Sequence, residues 1–418
     1  MRLCYDIHTV IFSFLTFHNK HRYRNICKLF SIKIHITNFA NISKKMIKKL
    51  DNKILQQYPY ITKLNLFGNK VVSSVNYLIL LKELDASFMN RLTSSGIINC
   101  VNLEEIKADG SSLRISIINK LPKLKSYSYI NHYTKTSLDQ NGLHYCNNLE
   151  FLNIINNKNV YDINHLTKLK VLKANHININ GFMCCTELEN LSINHHKFYN
   201  NNLNNLNTFN NLKVLNVICS DITSDMIRSC NNIEELYVTN CLKIYDINHL
   251  TKLRKLDAML SCSLTNECIK KCTNIEELNL SENMSINDIN NLTNLKVLVV
   301  NHNKKLTTDG FLLCDNIENL VMSGNDRIND INHLTNLKSL DISGKCILDI
   351  HGFLNCKNIE VLNVSFNRII RDLNHLTNLR KLYDSCTYEM NDNNIKCCSK
   401  LECIISYGNT SLVKLRNI

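Results

Sequence analysis

The sequence repeats itself with a period of 42 residues. Asp246-Ile-Asn-His-Leu-Thr-Lys-Leu returns as Asp288-Ile-Asn-Asn-Leu-Thr-Asn-Leu, Asp330-Ile-Asn-His-Leu-Thr-Asn-Leu and Asp372-Leu-Asn-His-Leu-Thr-Asn-Leu. Between these copies runs a second phrase, Cys272-Thr-Asn-Ile-Glu-Glu-Leu, then Cys314-Asp-Asn-Ile-Glu-Asn-Leu and Cys356-Lys-Asn-Ile-Glu-Val-Leu. The unit is therefore about 21 residues, written in two alternating forms. A unit this short cannot bury an apolar face alone, so its copies must stack and share one core. A stacked solenoid offers an extended surface, which points to binding rather than to a catalytic pocket.

Reduced to its apolar skeleton, each unit reads Leu-x-x-Leu-x-Leu-x-x-Asn. One copy is Ile275, Leu278, Leu280 and Asn283; another is Ile359, Leu362, Val364 and Asn367. This pattern resembles the leucine-rich-repeat superfamily over roughly residues 58–418. The resemblance implies a short strand, a turn and a helical or 3₁₀ return in every coil. The first strand leucine marks seventeen positions: Leu64, Leu84, Ile106, Tyr127, Leu152, Leu172, Leu191, Leu215, Leu236, Leu256, Leu278, Leu298, Leu320, Leu340, Leu362, Leu382 and Ile404. From Leu236 onward their spacing alternates between 20 and 22; before it, the spacing varies from 19 to 25. Seventeen strands at ~4.8 Å would span an arc of roughly 75–80 Å.

Strand geometry assigns the faces. In Leu340-Asp341-Ile342 alternate residues point oppositely, so Leu340 and Ile342 enter the core while Ser339, Asp341 and Ser343 face outward on the concave sheet. The Asn that follows turns the chain and satisfies backbone groups with its side chain. Asn69, Asn157, Asn283, Asn303, Asn325, Asn367 and Asn409 fill that position, with Cys241 as the other residue type there. The Asp-Ile-Asn-His-Leu-Thr-Asn-Leu phrase looks like the short repeats of internalin-type proteins. The phrase running from Thr308 to Leu320 looks like the cysteine-containing repeat of F-box proteins.

Cysteine is abundant, at 19 residues, and eight of them share one repeat position: Cys100, Cys146, Cys185, Cys230, Cys272, Cys314, Cys356 and Cys398. Row members stand one double repeat apart, about 10 Å. A disulfide needs Cα atoms within about 7 Å. The row is expected to be buried, reduced and apolar in character, which implies a reducing compartment and places the chain in the cytoplasm. In the vicinal pairs Cys184-Cys185 and Cys397-Cys398 the second residue is the row member. Asparagine, at 66 residues, exceeds what the turn position needs, and the surplus reads as the codon bias of an AT-rich genome.

The net charge of +13 is spread over solvent positions. The one cluster, Lys44, Lys45, Lys48, Lys49 and then Lys53, reads as the polar face of a short capping helix, and no nucleic-acid motif accompanies it. Neither nucleic acid nor membrane is expected as a partner. The best apolar run, Val10 to Phe17, is far short of the ~20 residues a span requires. It also lacks the flanks of a signal peptide.

The recurring histidines, His165, His249, His333 and His375, are too far apart to share a metal at bond lengths of about 2.0–2.1 Å. Members two repeats apart are about 10 Å from each other. They read as turn residues, and Asn291 stands in their place in one coil. No phosphate-binding loop, GxSxG or HExxH appears. No catalytic residue, metal or cofactor is expected, and the chain does not read as an enzyme.

Residues 1–50 lack the repeat. Ile7, Ile11, Phe14 and Leu15 form one apolar helical stripe, and Tyr23, Ile26, Cys27 and Phe30 form a second. About forty residues make a poor core alone, so this piece should dock on something. One possibility is the open edge of the solenoid, which a cap must hide. The segment Leu3-Cys-Tyr-Asp-Ile-His-Thr-Val-Ile-Phe-Ser-Phe-Leu15, with Ile26-Cys-Lys-Leu-Phe30, resembles an F-box without gaps. Cys4, His8, Asn19-Lys20 and Phe30 depart from that pattern, where it has Pro, Leu, Asp-Leu and Trp. The resemblance implies that Ile7, Ile11, Phe12, Leu15, Ile26, Cys27 and Phe30 bind a Skp1-like adaptor and, through it, a cullin ligase. The catalytic steps of ubiquitin transfer would then belong to partner enzymes.

On the concave row, Tyr237, Met259, Val297, Val299 and Val321 are apolar or aromatic where solvent favours polar groups. Such a patch, rimmed by polar side chains, marks a protein interface. The expected architecture is an α/β leucine-rich-repeat solenoid of about 17 right-handed coils with a parallel concave sheet. It has a helical F-box-like module at 1–40, a basic helical linker or cap at 41–57, and the solenoid at 58–418. The expected function is an F-box-type substrate receptor; the alternative is a binding scaffold without a ligase. An extracellular internalin-like adhesin is disfavoured by the cysteines. The whole resembles F-box/leucine-rich-repeat proteins and, in repeat style, the leucine-rich-repeat gene family of insect poxviruses, which would put it in host cytoplasm.

Overall fold

The structure is a computed structural model. It describes residues 36–89, 91–115, 121–132, 138, 140–194, 206–260, 262–385 and 390–407. The F-box-like residues Ile7, Ile11, Phe12, Leu15, Ile26, Cys27 and Phe30 lie outside the described residues, as does Asn409. The chain divides into two compact units, Met1–Ser192 and Ile193–Ile418.

In the first unit, strands β1 (Asn38–Phe39), β2 (Lys63–Asn65), β3 (Glu83–Asp85), β4 (Glu105–Lys107), β5 (Ser126–Ser128), β6 (Phe151–Asn153), β7 (Val171–Lys173) and β8 (Asn190–Ser192) pair in sequence order. Every pairing is parallel. In the second unit, β9 (Val214–Asn216), β10 (Glu235–Tyr237), β11 (Lys255–Asp257), β12 (Glu277–Asn279) and β13 (Val297–Val299) follow the same rule. So do β14 (Asn319–Val321), β15 (Ser339–Asp341), β16 (Val361–Asn363), β17 (Lys381–Tyr383) and β18 (Cys403–Ile405). The marker leucines lie in cross-strand register, Leu298 opposite Leu320 and Leu320 opposite Leu340, and are fully buried. Each coil thus adds one aliphatic layer to a shared core, as the period requires.

The parallel sheet begins earlier than the repeat does. Asn38–Phe39 pairs with β2, so there is one strand more than the seventeen marker leucines. Ile36, Phe39, Ile47, Leu50 and Leu55 are buried beside it. Two short helices follow, α1 (Lys44–Ile47), capped by Ser43, and α2 (Asn52–Gln56), capped by Asp51. Their lysines face solvent. Asn69 donates to the carbonyls of Ile47 and Leu50 at 2.6 and 3.0 Å, the contacts it would otherwise make with a preceding coil.

The alternation of 20 and 22 residues has a structural cause. The longer return carries a 3₁₀ turn, as at Asn266–Ile269, Thr308–Phe311 and Ile350–Phe353. The shorter return, Asp-Ile-Asn-His, makes only tight turns; Asp246 Oδ1 accepts the Asn248 amide at 3.0 Å. The two forms clip together. The Ile289 amide donates to the Gly310 carbonyl at 2.7 Å, and Asn290 Nδ2 donates to the Asp309 carbonyl at 2.9 Å. Gly310 has to be glycine, because a Cβ there would meet the Asn287 carbonyl oxygen.

Much of the asparagine has a structural task in these coils, beyond the codon bias expected for it. One ladder uses the buried turn position. A second uses Asn248, Asn290, Asn332 and Asn374, each of which donates to a carbonyl and accepts an amide of the next coil. A third uses Asn274, Asn294, Asn316 and Asn358, which donate back to the carbonyls of Thr251, Thr273, Thr293 and Thr335. The cysteine row is likewise buried, and its thiols donate to carbonyls of the preceding coil, Cys272 to Ile247 and Cys314 to Ile289 at 3.3 Å. Burial pushes these two thiols up to about 12, which keeps them protonated and unreactive.

The histidines are turn residues. His249 Nε2 lies 3.0 Å from the Ile227 carbonyl, while the rings of His333 and His375 rest on Phe311 and Phe353. Burial holds all three below the ordinary histidine pKa. The unfolded chain therefore takes up protons near pH 6.5 before the folded chain does. Stability is retained above that pH and is lost as pH falls toward the folded values. Asn291 occupies the same position with Nδ2 donating to the Lys270 carbonyl at 3.1 Å. The combined variant His249→Asn, His333→Asn, His375→Asn should accordingly show a flatter melting temperature between pH 7 and 5, by roughly 2 °C or more. Parallel pH profiles of the two proteins would show the idea to be wrong.

Candidate functional site

The outward residues of the second unit form columns read down the coils. Side chains alternate along each strand, so the third strand residue faces away from the core. From β10 to β17 that column is Tyr237, Asp257, Asn279, Val299, Val321, Asp341, Asn363 and Tyr383. Two valines stand at its centre, an Asp–Asn pair flanks them on each side, and a tyrosine closes each end. The column covers seven strand steps, roughly 34 Å at ~4.8 Å each.

The centre is apolar by register. Val299 lies opposite Val321, and Val297 shares β13 with Val299. All three are half-buried. The flanks are polar and fixed. Asn279 Nδ2 donates to Asp257 Oδ2 at 3.2 Å, and Thr239 Oγ1 donates to Asp257 Oδ1 at 2.6 Å. On the other side Asn363 Nδ2 donates to Asp341 Oδ2 at 2.8 Å. The next outward column, toward the loops, is hydroxylic: Ser343 Oγ donates to Ser323 Oγ at 2.9 Å, and Ser385 N donates to Ser365 Oγ at 3.1 Å.

The tyrosines at the ends share one arrangement. Lys255 Nζ lies 5.9 Å from the Tyr237 ring centre, and Lys381 Nζ lies 4.8 Å from that of Tyr383. Tyr237 donates its hydroxyl to Glu235 at 2.9 Å; burial, then that carboxylate, raises its pKa. Lys255 is raised chiefly by its hydrogen bond to Glu277, at 2.7 Å.

Of the five expected contact residues, the fold brings together Val297, Val299 and Val321. Tyr237 stands three strands away on β10, and Met259 follows β11 beyond the Asp257–Asn279 pair. The five are therefore a valine patch and two outliers rather than one continuous patch.

Sequence reasoning missed the bracketing Asp–Asn pairs, Tyr383, and a charge ladder along the strand starts. The residue before each strand alternates in sign: Arg254, Glu276, Lys296, Glu318, Lys338, Glu360, Arg380 and Glu402. Glu276 joins Arg254 and Lys296, each at 2.8 Å, and Lys338 joins Glu318 at 2.8 Å. Hydrogen bonds to these cations hold Glu276 and Glu318 below the usual carboxylate range. The pairs are solvent-exposed and add little each, but their alternation favours one register of stacking. The 42-residue period was the available signal, because each sign returns at that interval.

Among the described residues no three His, Cys, Asp or Glu side chains converge as metal ligands, and no helix is long and apolar enough to cross a membrane. No protein-family model matches the chain, and neither does any curated protein sequence. Solved structures do resemble it. An internalin of Listeria monocytogenes is 22% identical over 73% of this chain and 88% of its own, with a TM-score of 0.54. A leucine-rich-repeat protein of Leptospira interrogans is 20% identical over 88% of this chain and 99% of its own, with a TM-score of 0.63. TLR13, solved in complex with ssRNA13, is 19% identical over 90% of this chain and 59% of its own, with a TM-score of 0.59. At such identities the likeness carries the fold alone, and the fold is that of the leucine-rich-repeat proteins.

Proposed function

We propose that this chain is a protein-binding receptor of the F-box type. The F-box-like residues within 1–40, at 3–30, would engage a Skp1-like adaptor of a cullin ligase, while Asn38–Phe39 belongs to the sheet and the outward face around β13 and β14 would hold a target protein. The observation that carries the binding role is the valine patch of Val297, Val299 and Val321. It is set among Asp, Asn and Ser side chains that are already tied to one another. Such side chains keep an interface in register, while desolvation of the aliphatic centre supplies the affinity. No catalytic step is assigned to the chain.

The adaptor half of the reading rests on the ungapped F-box-like match at residues 3–30. A further argument supports it over a purely capping role. β1, α1 and α2, within residues 36–57, place Phe39, Leu50 and Leu55 in the core next to the first repeat, so these residues themselves contribute a cap at that edge. The cytoplasm is the proposed site of action, host cytoplasm for a viral product, because long rows of buried thiols suit a reducing compartment.

Ile11→Asp and Phe12→Ala test the assignment in the full chain. Purified Skp1 should be retained by the wild type. Each variant should lose it by roughly 30-fold or more, as expected when an interface anchor is removed. Melting curves should coincide. A wild-type chain that fails to retain Skp1 would leave the ligase-free binding scaffold as the surviving reading.

A further inference from the structure

The first unit carries an aromatic ledge that the target face does not use. Phe67 and Phe88 are 45% and 39% exposed, and their rings meet edge to face at 5.2 Å. Phe88 stacks on His132 at 5.4 Å and an interplanar angle of 28°. The stack passes over Gly110, where a Cβ would meet Phe88 Cε1 at 3.0 Å and His132 Cδ2 at 3.1 Å. The ledge therefore exists because that coil has no side chain at this position.

Phe88 is held at a cost. Its φ is +57°, in the left-handed region that bulky residues avoid. The equivalent position is glycine at Gly68, Gly110, Gly324 and Gly344, and non-glycine at others such as Asn156, Asn240, Leu260 and Phe366, all with positive φ. The phenylalanine there packs between Phe67 and His132 and still leaves part of its ring open to solvent.

The charge around the ledge is acidic on a chain whose net charge is +13. The outward side chains of β2 to β4 and the residue beyond include Lys63, Glu83, Asp85, Glu105, Lys107 and Asp109. Lys63 is paired with Glu83 at 2.7 Å and Lys107 with Glu105 at 3.0 Å. Among the described residues, neither Asp85 nor Asp109 is in an ion pair. Asp109 adjoins Gly110, and its Oδ1 accepts from Ser128 Oγ at 2.7 Å and Ile130 N at 2.8 Å. That fixes the carboxylate and leaves Oδ2 open. Asp85, on the same coil as Phe88, is oriented by the Ser87 amide at 3.0 Å.

We infer that the Phe67–Phe88–His132 ledge, edged by Asp85 and Asp109, docks an arginine side chain of a partner protein. A guanidinium is planar, stacks on aromatic faces and offers its N–H groups to carboxylates at the same time. A lysine can meet the rings but not in that fork geometry. An uncharged apolar group would bury the carboxylates without a partner, at a cost.

The test uses the full chain and a fluorescein-labelled decapeptide with two arginines among glycines and serines. Lysine and citrulline counterparts serve as comparisons, and binding is read by anisotropy at pH 7.5 and low salt. The basic charge of the chain disfavours indiscriminate capture of a cationic peptide. The arginine peptide should bind best, the lysine peptide about threefold more weakly, and the citrulline peptide below detection. Phe88→Gly and Asp85→Asn should each weaken the arginine peptide about threefold or more, the loss expected for one exposed cation–π contact or one carboxylate partner. Phe88→Gly should melt at or above the wild-type temperature, because glycine suits the left-handed backbone. Absence of binding, equal binding of the citrulline peptide, or unchanged affinity in both variants would each overturn the inference.

Discussion

Asn303→Ala is expected to destabilise the second unit by about 3–4 kcal/mol, four hydrogen bonds at roughly 1 kcal/mol each. The Asn303 side chain is fully buried and makes all four. Nδ2 donates to the Leu280 carbonyl at 2.7 Å and the Asn283 carbonyl at 3.1 Å. Oδ1 accepts the Lys305 and Leu306 amides, both at 2.8 Å. One side chain thus satisfies two backbone groups of its own turn and two of the preceding coil. Alanine strips all four inside a dry core, and a buried backbone group left unpaired is costly. The loss should appear first as rapid hydrogen exchange at the Leu306 amide, because repeat stability is set between nearest neighbours. Asn294→Ala provides the contrast. Asn294 is exposed and makes a single bond, to the Thr273 carbonyl at 3.1 Å, so its loss should cost less than about 1 kcal/mol. Equal effects from the two substitutions would show that the buried ladder is not what ties coil to coil.

These residues also show how far a single sequence can be read. The period located the marker leucines, and the structure places them in register, because a one-residue slip would expose every one of them. Ile404 is half-exposed, as expected of a residue on the last described strand. The position of Asn303 was legible because the turn demands that residue type. β1 was not: Asn38 and Phe39 belong to no repeat, and they pair with β2 through backbone groups that any residue supplies. The asparagine ladders were not legible because their hydrogen bonds run to residues 19 to 23 positions away. The charge ladder and the Tyr–Asp–Asn–Val column are invisible along the chain for the same reason. Their members are spatial neighbours only after the coils stack, and each must be read down the period.

The double variant Val299→Glu, Val321→Glu should reduce target capture by roughly 30-fold or more while leaving the fold intact. Both side chains are half-buried on the outward face, and the core beneath is filled by Leu298, Val300, Leu320 and Met322, each fully buried. Glutamate at either position can reach water without displacing those residues, so the melting temperature should fall by only a few degrees. The two new carboxylates would lie directly opposite each other, between Asp257 on one side and Asp341 on the other. A face that now presents an aliphatic centre between two tied carboxylates would present four carboxylates, interrupted only by Asn279. A target that buries an apolar group there would meet unpaired charge instead, which costs affinity steeply. Tyr237→Ala and Tyr383→Ala, at the ends of the column, separate an extended contact from a central one. If the target spans the whole column, each should weaken capture about tenfold. If it sits only on the valines, both should be nearly silent. The measurement is the amount of partner recovered with the full chain and each variant, with melting curves taken on the same preparations. Recovery that is unchanged in the valine double variant would remove this face from the binding role and turn attention to the first unit.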